Sequence, residues 1–406
     1  MSKMKAVGMF VFAGSATIGT MNTGLFDVDR VLEITDEIIE QNAKHFIHNY
    51  PDIPVIVPSK WENDEYLYDL GKQEVDLLLG NPPCSSLSQI NRNASVDGPA
   101  NVHFYRVFNA VSKIRPKVFL LENAPTTIKL GYPILKDMIN QLSEHYRFTI
   151  IRDRGANHGV SMQRTRTFII GWRKDCFKHI PILEMNKKSM TTAWDVIGRF
   201  EGYEVGDESV VSHRLVPERH DSNLEQFFGD VQQGCSIREH ICRHWDEYVD
   251  KLDDKTVKSF ATIKRKFDAG QNYWDKSPRR VHPYATFPSM SSVANFIHPT
   301  KDRPLTVREY AAIMNYPDDF EFVEDAKVPV VQAIAQGVPA NFFEYIANEV
   351  GQALLGNRAI LPTDDTVVVF QNHINGLYRM YNLDEIQEAT CFEVSKKDSK
   401  VGHLLK

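Results

Sequence analysis

Glu74-Val-Asp-Leu-Leu-Leu-Gly-Asn-Pro-Pro-Cys-Ser-Ser-Leu-Ser88 is the stretch that decides the fold. Residues Val75 to Leu79 form a short apolar run closed by Gly80, the pattern of a buried strand. Asn81-Pro82-Pro83 cannot continue a ladder, because proline lacks the N–H donor and fixes φ. Cys84 is therefore expected on a stiff turn at the C-terminal edge of a parallel strand, where open α/β sheets bind ligands and carry catalytic groups. Ser85, Ser86 and Ser88 read as a polar loop or a helix start, a setting in which a thiol's pKa tends to fall. The plainer alternative is a structural cysteine buried beside a turn.

Working back towards the N-terminus, residues 6–12 are apolar and give way to Ala13-Gly14-Ser15-Ala16-Thr17-Ile18-Gly19. A strand, a small-residue turn and a helix make the nucleotide-side corner of a doubly wound fold, where backbone can approach a ligand closely. The run Val28 to Leu32 ends at Glu33, placed to accept hydrogen bonds from ribose hydroxyls, or else a solvated carboxylate at a helix start. An amphipathic helix over 36–48 and a short strand Val55-Ile56-Val57 follow.

Working forward, a helix from about His103 to Ile114 leads into a strand over 116–121 that ends in Glu122-Asn123-Ala124-Pro125. Two polar clusters at the tips of neighbouring strands would converge on one crevice. A helix around 133–145 and a strand Phe148–Arg152 precede Arg164 and Arg166, which face the same way if they lie on a strand. Such a pair reads an anion or a base edge, or is an exposed edge with two solvated arginines.

From 177 to about 295 the periodicity weakens and charge rises. Lys264-Arg265-Lys266 and Arg279-Arg280 are interleaved with Phe260, Phe267, Tyr273 and Trp274, a combination that can hold phosphates and stack on bases. A solvated charged face is the bland alternative. Regular structure resumes at Arg303-Pro-Leu-Thr-Val-Arg-Glu309, where Thr306 and Glu309 have capping-box spacing. A last helix is expected near 340–355 and a strand near Thr366–Phe370.

The 406 residues suffice for two domains, and 42% hydrophobic with 25% charged residues is ordinary for a globular protein. A net charge of −6 argues against non-specific coating of nucleic acid while allowing local basic patches. Cys84, Cys176, Cys235, Cys242 and Cys391 are scattered and odd in number, which speaks against a disulfide frame and a zinc site and for a reducing, intracellular compartment. No stretch is apolar enough to span a membrane, and the apolar N-terminal run breaks too early for a signal peptide.

Pro83-Cys84, Glu122-Asn123-Ala124, Arg164 with Arg166, Arg303 to Glu309, and Pro317-Asp318-Asp319-Phe320 occur in that order. On these residues the chain resembles the DNA (cytosine-5) methyltransferase family over roughly 6–178 and 290–355. Ser85 stands where that family has glutamine, Met162 where a glutamine precedes the arginines, and Ala16-Thr17 where a glycine pair is usual. Ala335-Gln336 replaces Gly-Asn ahead of Val338-Pro339, and Ser59 falls by spacing at the third cofactor motif.

The resemblance implies a doubly wound, Rossmann-like α/β catalytic domain over 1–178, a smaller target-recognition domain over 179–295, and a return to the catalytic domain with a C-terminal extension over 296–406. It implies methyl transfer from S-adenosylmethionine to C5 of cytosine in double-stranded DNA. Cys84 would add to C6, Glu122 would protonate N3, and Arg164 and Arg166 would hold the base and its backbone. Phe12, Ala13, Gly14, Glu33 and Asn81 would bind the donor. Ser85, Ser88, Arg92, Lys264, Arg265, Arg279 and Arg280 would contact DNA, and the loop Ser85–Ala100, with Gly98 and Pro99, would close over a flipped base. A monomer without metal or membrane association is expected, with a cognate restriction endonuclease as a partner. An RNA cytosine-5 methyltransferase and a non-catalytic DNA- or partner-binding relative are the alternatives.

Overall fold

A computed structural model describes residues 2–58, 61, 65–88, 93–184, 186–216, 222–271, 275, 277–290, 295–324, 329–363, 367–374 and 377–382. Its strands are β1 (Met4–Met9), β2 (Phe26–Leu32), β3 (Val55–Ile56), β4 (Leu77–Gly80), β5 (Val118–Asn123), β6 (Tyr146–Arg154) and β7 (Thr165–Arg173). They continue with β8 (Ile180–Pro181), β9 (Arg279–Arg280), β10 (Phe296–Ile297), β11 (Ile360–Leu361), β12 (Val367–Asn372) and β13 (Leu377–Asn382). The chain forms two compact units, one of residues 1–160, 164–189 and 337–406, the other of 161–163 and 190–336. Residues 296–336 thus fold with the smaller unit rather than returning to the larger.

The larger unit is a nine-stranded sheet in the order β13-β12-β6-β7-β5-β4-β1-β2-β3. From β5 to β3 every neighbour pairs in parallel, while β7 runs antiparallel between β5 and β6. The central strands read as unbroken apolar runs because both their faces are covered. All four residues of β4 and all six of β5 are buried. The amphipathic helices Val102–Ile114 and Tyr132–Leu142 lay Phe104, Val107, Phe108, Val111, Ile134, Leu135 and Met138 into one core with Leu78, Phe119 and Leu121. The expected single helix over 36–48 is instead a π-helical turn, Ile39–Ala43, between two helical pieces.

Helix Ser15–Asn22 buries six of its eight residues, and helix Ala340–Leu354 closes against it. A methyl group on Gly19 would lie 2.2 Å from the Ala340 carbonyl oxygen and 2.9 Å from the Glu344 nitrogen. Both are backbone atoms that cannot swing aside. Gly19→Ala is therefore expected to destabilise the protein by roughly 1–3 kcal/mol through overpacking. Urea unfolding should show the lower midpoint, with an unchanged slope.

The smaller unit has its own core, made of Leu224, Phe227, Phe228, Val231, Ile237, Ile241, Tyr248, Phe260 and Ile297. Thr306 and Glu309 form the expected capping box on helix Val307–Ile313. Arg303 reaches the same Glu309 carboxylate through a two-pronged bond of 2.8 and 2.9 Å. Arg308 is fully buried and donates to the carbonyls of Pro317 (2.9 Å) and Asp318 (2.6 Å). The Arg-Pro-Leu-Thr-x-Arg-Glu run is thus a set of internal clasps. Phe260 belongs to the core, beneath the Arg238 guanidinium at 4.8 Å, and is not a surface stacking platform. Tyr273 and Trp274 lie outside the described residues. No described helix is long and apolar enough to cross a membrane.

Candidate active site

β4 and β5 are parallel neighbours with Gly80 beside Leu121, so the segments leaving them emerge side by side. Asn123, the last residue of β5, ties the two tips together. Its side-chain amide donates to the Pro82 carbonyl at 2.9 Å. Its oxygen accepts from the Ala124 N–H (2.9 Å) and the Thr127 hydroxyl (2.8 Å). The Thr126 hydroxyl then donates to the Leu87 carbonyl, and the Leu87 N–H closes a turn on the Cys84 carbonyl at 3.0 Å. Cys84 is held on both sides by the strand next door. Asn123→Ala removes these buried bonds, each orphaned group costing about 1–3 kcal/mol. Alkylation of Cys84 by a thiol reagent should then accelerate, as the Pro-Pro-Cys turn loosens.

Glu122 is buried on β5, and its carboxylate accepts from Arg166 Nε at 2.7 Å. Arg164 falls one residue before β7 and turns inward to donate to the Gly337 carbonyl. Burial pushes the Glu122 carboxyl above the usual carboxylate range, against the opposing pull of Arg166 and Arg164. Burial likewise pushes the Cys84 thiol up, with Arg166 and Arg164 favouring the thiolate and Glu122 opposing it. The expectation of a lowered thiol is reversed. Residues 85–87 form a turn rather than a helix start, and removal from water outweighs the nearby arginines. One thiol, one carboxyl and two guanidiniums therefore share one field, and the free site keeps its thiol protonated.

The first corner contains strain that the sequence did not reveal. Phe10 and Phe12 have φ of 63° and 50°, and Gly14 has 103°. Left-handed backbone costs a non-glycine residue on the order of 1–3 kcal/mol. The buried Glu33 carboxylate offsets this by accepting from the N–H groups of Val11 (2.6 Å), Phe12 (3.4 Å) and Ile34 (2.9 Å). Burial nevertheless raises its pKa to about 7. Glu33 is thus neither a solvated helix-start carboxylate nor a free one. Ala13 and Asn81 are buried beside this turn, with the Asn81 N–H on the Met9 carbonyl at 3.2 Å. A Cβ on Gly337 would fall 2.9 Å from both Asn81 Nδ2 and Ser15 Oγ, and its φ of 79° is one that favours glycine.

The residues expected to contact DNA separate into different environments. Ser85 is exposed and Ser88 half-buried behind Cys84, while Arg92 and Ser59 lie outside the described residues. Ser86 anchors the loop base, accepting from Ala100 N–H at 3.1 Å on its hydroxyl and from Ser95 N–H at 2.9 Å on its carbonyl. In the smaller unit Arg265 is exposed on helix Asp254–Asp268, whereas Lys264 is clamped to Asp268 at 2.6 and 2.7 Å. Arg279 donates to the Gly234 carbonyl. Arg280 is a correction: it is buried, and its guanidinium serves the carbonyls of Val231, His298, Lys301 and Phe228 together with Asp302. It is a structural crosslink with no donor left for a phosphate, a role invisible in a doubled arginine.

The family model for C-5 cytosine-specific DNA methylase matches residues 4–352. The type II methyltransferase M.PspPI of Psychrobacter sp. is 26% identical over 369 residues, covering 88% of this chain and 80% of its own. M.DdeI of Desulfomicrobium norvegicum is 24% identical over 342 residues, covering 79% and 80%. Among solved structures, a candidate DNA modification methyltransferase encoded in an Escherichia coli prophage aligns with a TM-score of 0.59 at 22% identity, covering 87% of this chain and 100% of that one. A Spodoptera frugiperda DNMT2 mutant aligns at 0.52 with 12% identity, covering 86% and 99%. At those identities the two structures speak for the fold alone.

Proposed function

The chain belongs to the C-5 cytosine-specific DNA methylase family and is a DNA (cytosine-5) methyltransferase, and from that premise we propose how its residues carry the reaction. C5 of cytosine is a poor nucleophile. A thiolate adding at C6 makes C5 enamine-like, and Cys84 is the group that adds. Addition builds negative charge on the ring, which a proton at N3 relieves, and Glu122 holds that proton. Its raised pKa supports the role, since burial lessens the cost of keeping a proton on the carboxyl while Cys84 is ionised. Arg166, fixed against Glu122, faces the base carbonyl, while Arg164 stays on the Gly337 carbonyl and positions the strand tip. C5 and C6 lie inside a duplex stack, so the base must be flipped out to reach Cys84. The described part of the loop 85–100, with Gly98 and Pro99, would close over it. The single observation carrying this reading is that Cys84 and Glu122 lie at the tips of the neighbouring parallel strands β4 and β5, with Arg166 bound to the Glu122 carboxylate at 2.7 Å.

The residues of the first corner fit S-adenosylmethionine, which when bound would supply an electrophilic methyl group. A carboxylate offers about four lone-pair sites. Glu33 uses three on backbone N–H groups and retains capacity for a ribose hydroxyl. Phe12 is half-buried at the turn and would face the adenosine, with Ala13, Gly14 and Asn81 lining the approach. Because Glu33 titrates near 7, its stronger acceptor form grows as pH rises through that value. Donor affinity should therefore increase several-fold from pH 6 to pH 8, and Glu33→Gln should weaken binding and flatten the trend in isothermal titration.

The direct test incubates the purified protein with methyl-labelled donor and duplex DNA, then digests the DNA to nucleosides. The expected label is in 5-methylcytosine. Label in N4-methylcytosine or N6-methyladenine, or only in RNA offered alongside, would overturn the reading. The type II names of the relatives support a restriction–modification setting with a cognate endonuclease.

A further inference from the structure

Asp153, His158 and His373 meet in the larger unit and take no part in the mechanism proposed above. Asp153 stands near the end of β6, His158 ends the short helical turn Gly155–His158, and His373 follows β12. All three are buried. One Asp153 oxygen accepts the Arg154 N–H at 2.7 Å. The other, Oδ2, lies 2.6 Å from His158 Nε2 and 2.9 Å from His373 Nδ1.

The far side of each ring decides what lies between these atoms. His158 Nδ1 is 3.0 Å from the Asn186 carbonyl, and His373 Nε2 is 3.0 Å from Gln371 Oε1. A carbonyl only accepts, so His158 carries its proton on Nδ1, and in the neutral ring Nε2 is a bare lone pair. That lone pair faces a carboxylate oxygen, and the approach lacks the alignment of an N–H···O bond. Two acceptors at that distance repel unless positive charge sits between them. His373 Nδ1 makes a 2.9 Å hydrogen-bond contact with the same Oδ2, and with its proton on Nε2 towards Gln371 Oε1 that nitrogen also offers a lone pair. Gln371 is itself fully buried, and its Nε2 has no hydrogen-bond partner.

We propose that one divalent transition-metal ion binds Asp153 Oδ2, His158 Nε2 and His373 Nδ1. Two imidazoles and a carboxylate suit zinc, which takes three protein donors of these types with a fourth position left for water. The three ligand atoms lie within 4.8 Å of one another. With bonds of about 2.0–2.2 Å, the touching pairs need to part by only roughly half an ångström. Each imidazole already places its outer N–H on a carbonyl, the outer-shell contact that fixes a ligating histidine. His373 falls outside the family-matched residues 4–352. The ion would therefore staple the end of β12 to β6, whose Asp153 is the cross-strand partner of Arg166.

Full-length protein stripped by chelator and titrated with zinc should retain one ion per chain through gel filtration, measured by mass spectrometry of the metal. Cobalt(II) in its place should give the d–d bands of a four-coordinate site. It should give none of the thiolate charge-transfer absorption that a site built on the five cysteines would produce. Asp153→Asn and His373→Gln should each weaken zinc binding at least about tenfold and abolish the zinc-induced rise in thermal midpoint. His158→Gln is a third variant, each being read where circular dichroism matches the wild type. Failure of the stripped wild type to take up zinc, a thiolate band, or undiminished uptake in the folded variants would overturn the proposal and leave protonated histidines to account for the geometry.

Discussion

Cys84→Ala is expected to abolish methyl transfer, a loss on the order of ten-thousandfold or more, as for other enzymes deprived of their nucleophile. The size follows from what the thiol does. Without addition at C6, C5 remains aromatic, and neither Glu122 nor the arginines can activate it alone. Binding should survive, because Cys84 is half-buried on a turn whose position is set by Asn123 and Leu87, not by the thiol. Kd values for DNA and for the methyl donor should therefore stay within a few-fold while turnover disappears. Duplex DNA carrying 5-fluorocytosine supplies the complementary measurement. Fluorine replaces the proton that must leave C5, so the wild type should be trapped as a denaturation-resistant adduct and the variant should not. Turnover by Cys84→Ala, or an active wild type that never forms the adduct, would sink the mechanism.

Glu122→Gln should lower turnover by about 10²- to 10⁴-fold, the range of a lost general acid, and change the shape of the pH profile. In the proposed mechanism the reactive form of the wild type has a thiolate at Cys84 and a proton on Glu122. It carries the same number of protons as the more abundant thiol–carboxylate form. The rate with limiting substrate is therefore flat between the two ionisations. It falls below the raised Glu122 pKa, where both groups are protonated, and above the raised Cys84 pKa, where both are ionised. Glutamine removes the first ionisation. The residual rate should then climb tenfold per pH unit until Cys84 ionises, so the plateau becomes a slope. A variant that keeps the wild-type plateau would show that Glu122 supplies no proton.

The sequence carried the parts of this site that obey local rules. An apolar run stopped by Asn-Pro-Pro and another stopped by Glu-Asn-Ala-Pro place Cys84 and Glu122 at strand tips, and helix periodicity located Val102–Ile114. Helix ends were also legible where a side chain caps its own backbone, as Thr306 does with Glu309. What stayed hidden depends on residues far apart in the chain. Arg280 looks like half of a basic patch until the carbonyls of residues 228 to 301 surround it. The raised thiol of Cys84 reflects burial, which no neighbour in sequence records. The left-handed turn at Phe10 and Phe12 is set by Glu33, a residue of the next strand tip. The zinc ligands escaped because 153, 158 and 373 make no spacing motif.

Helix Ser15–Asn22 leaves the ribosome well before Ala340–Leu354, which closes against it. β12, the neighbour of β6, emerges later still. At roughly 5–20 residues per second, synthesis of the intervening chain takes tens of seconds. During that interval the first helix and β6 each lack a covering partner. The nascent chain cannot complete the corner proposed for the donor until Gly337, which sits between Asn81 and Ser15, has been made. Assembly of the larger unit is thus timed by its late elements, and a chain halted before residue 337 would lack both Gly337 in that corner and the carbonyl that holds Arg164.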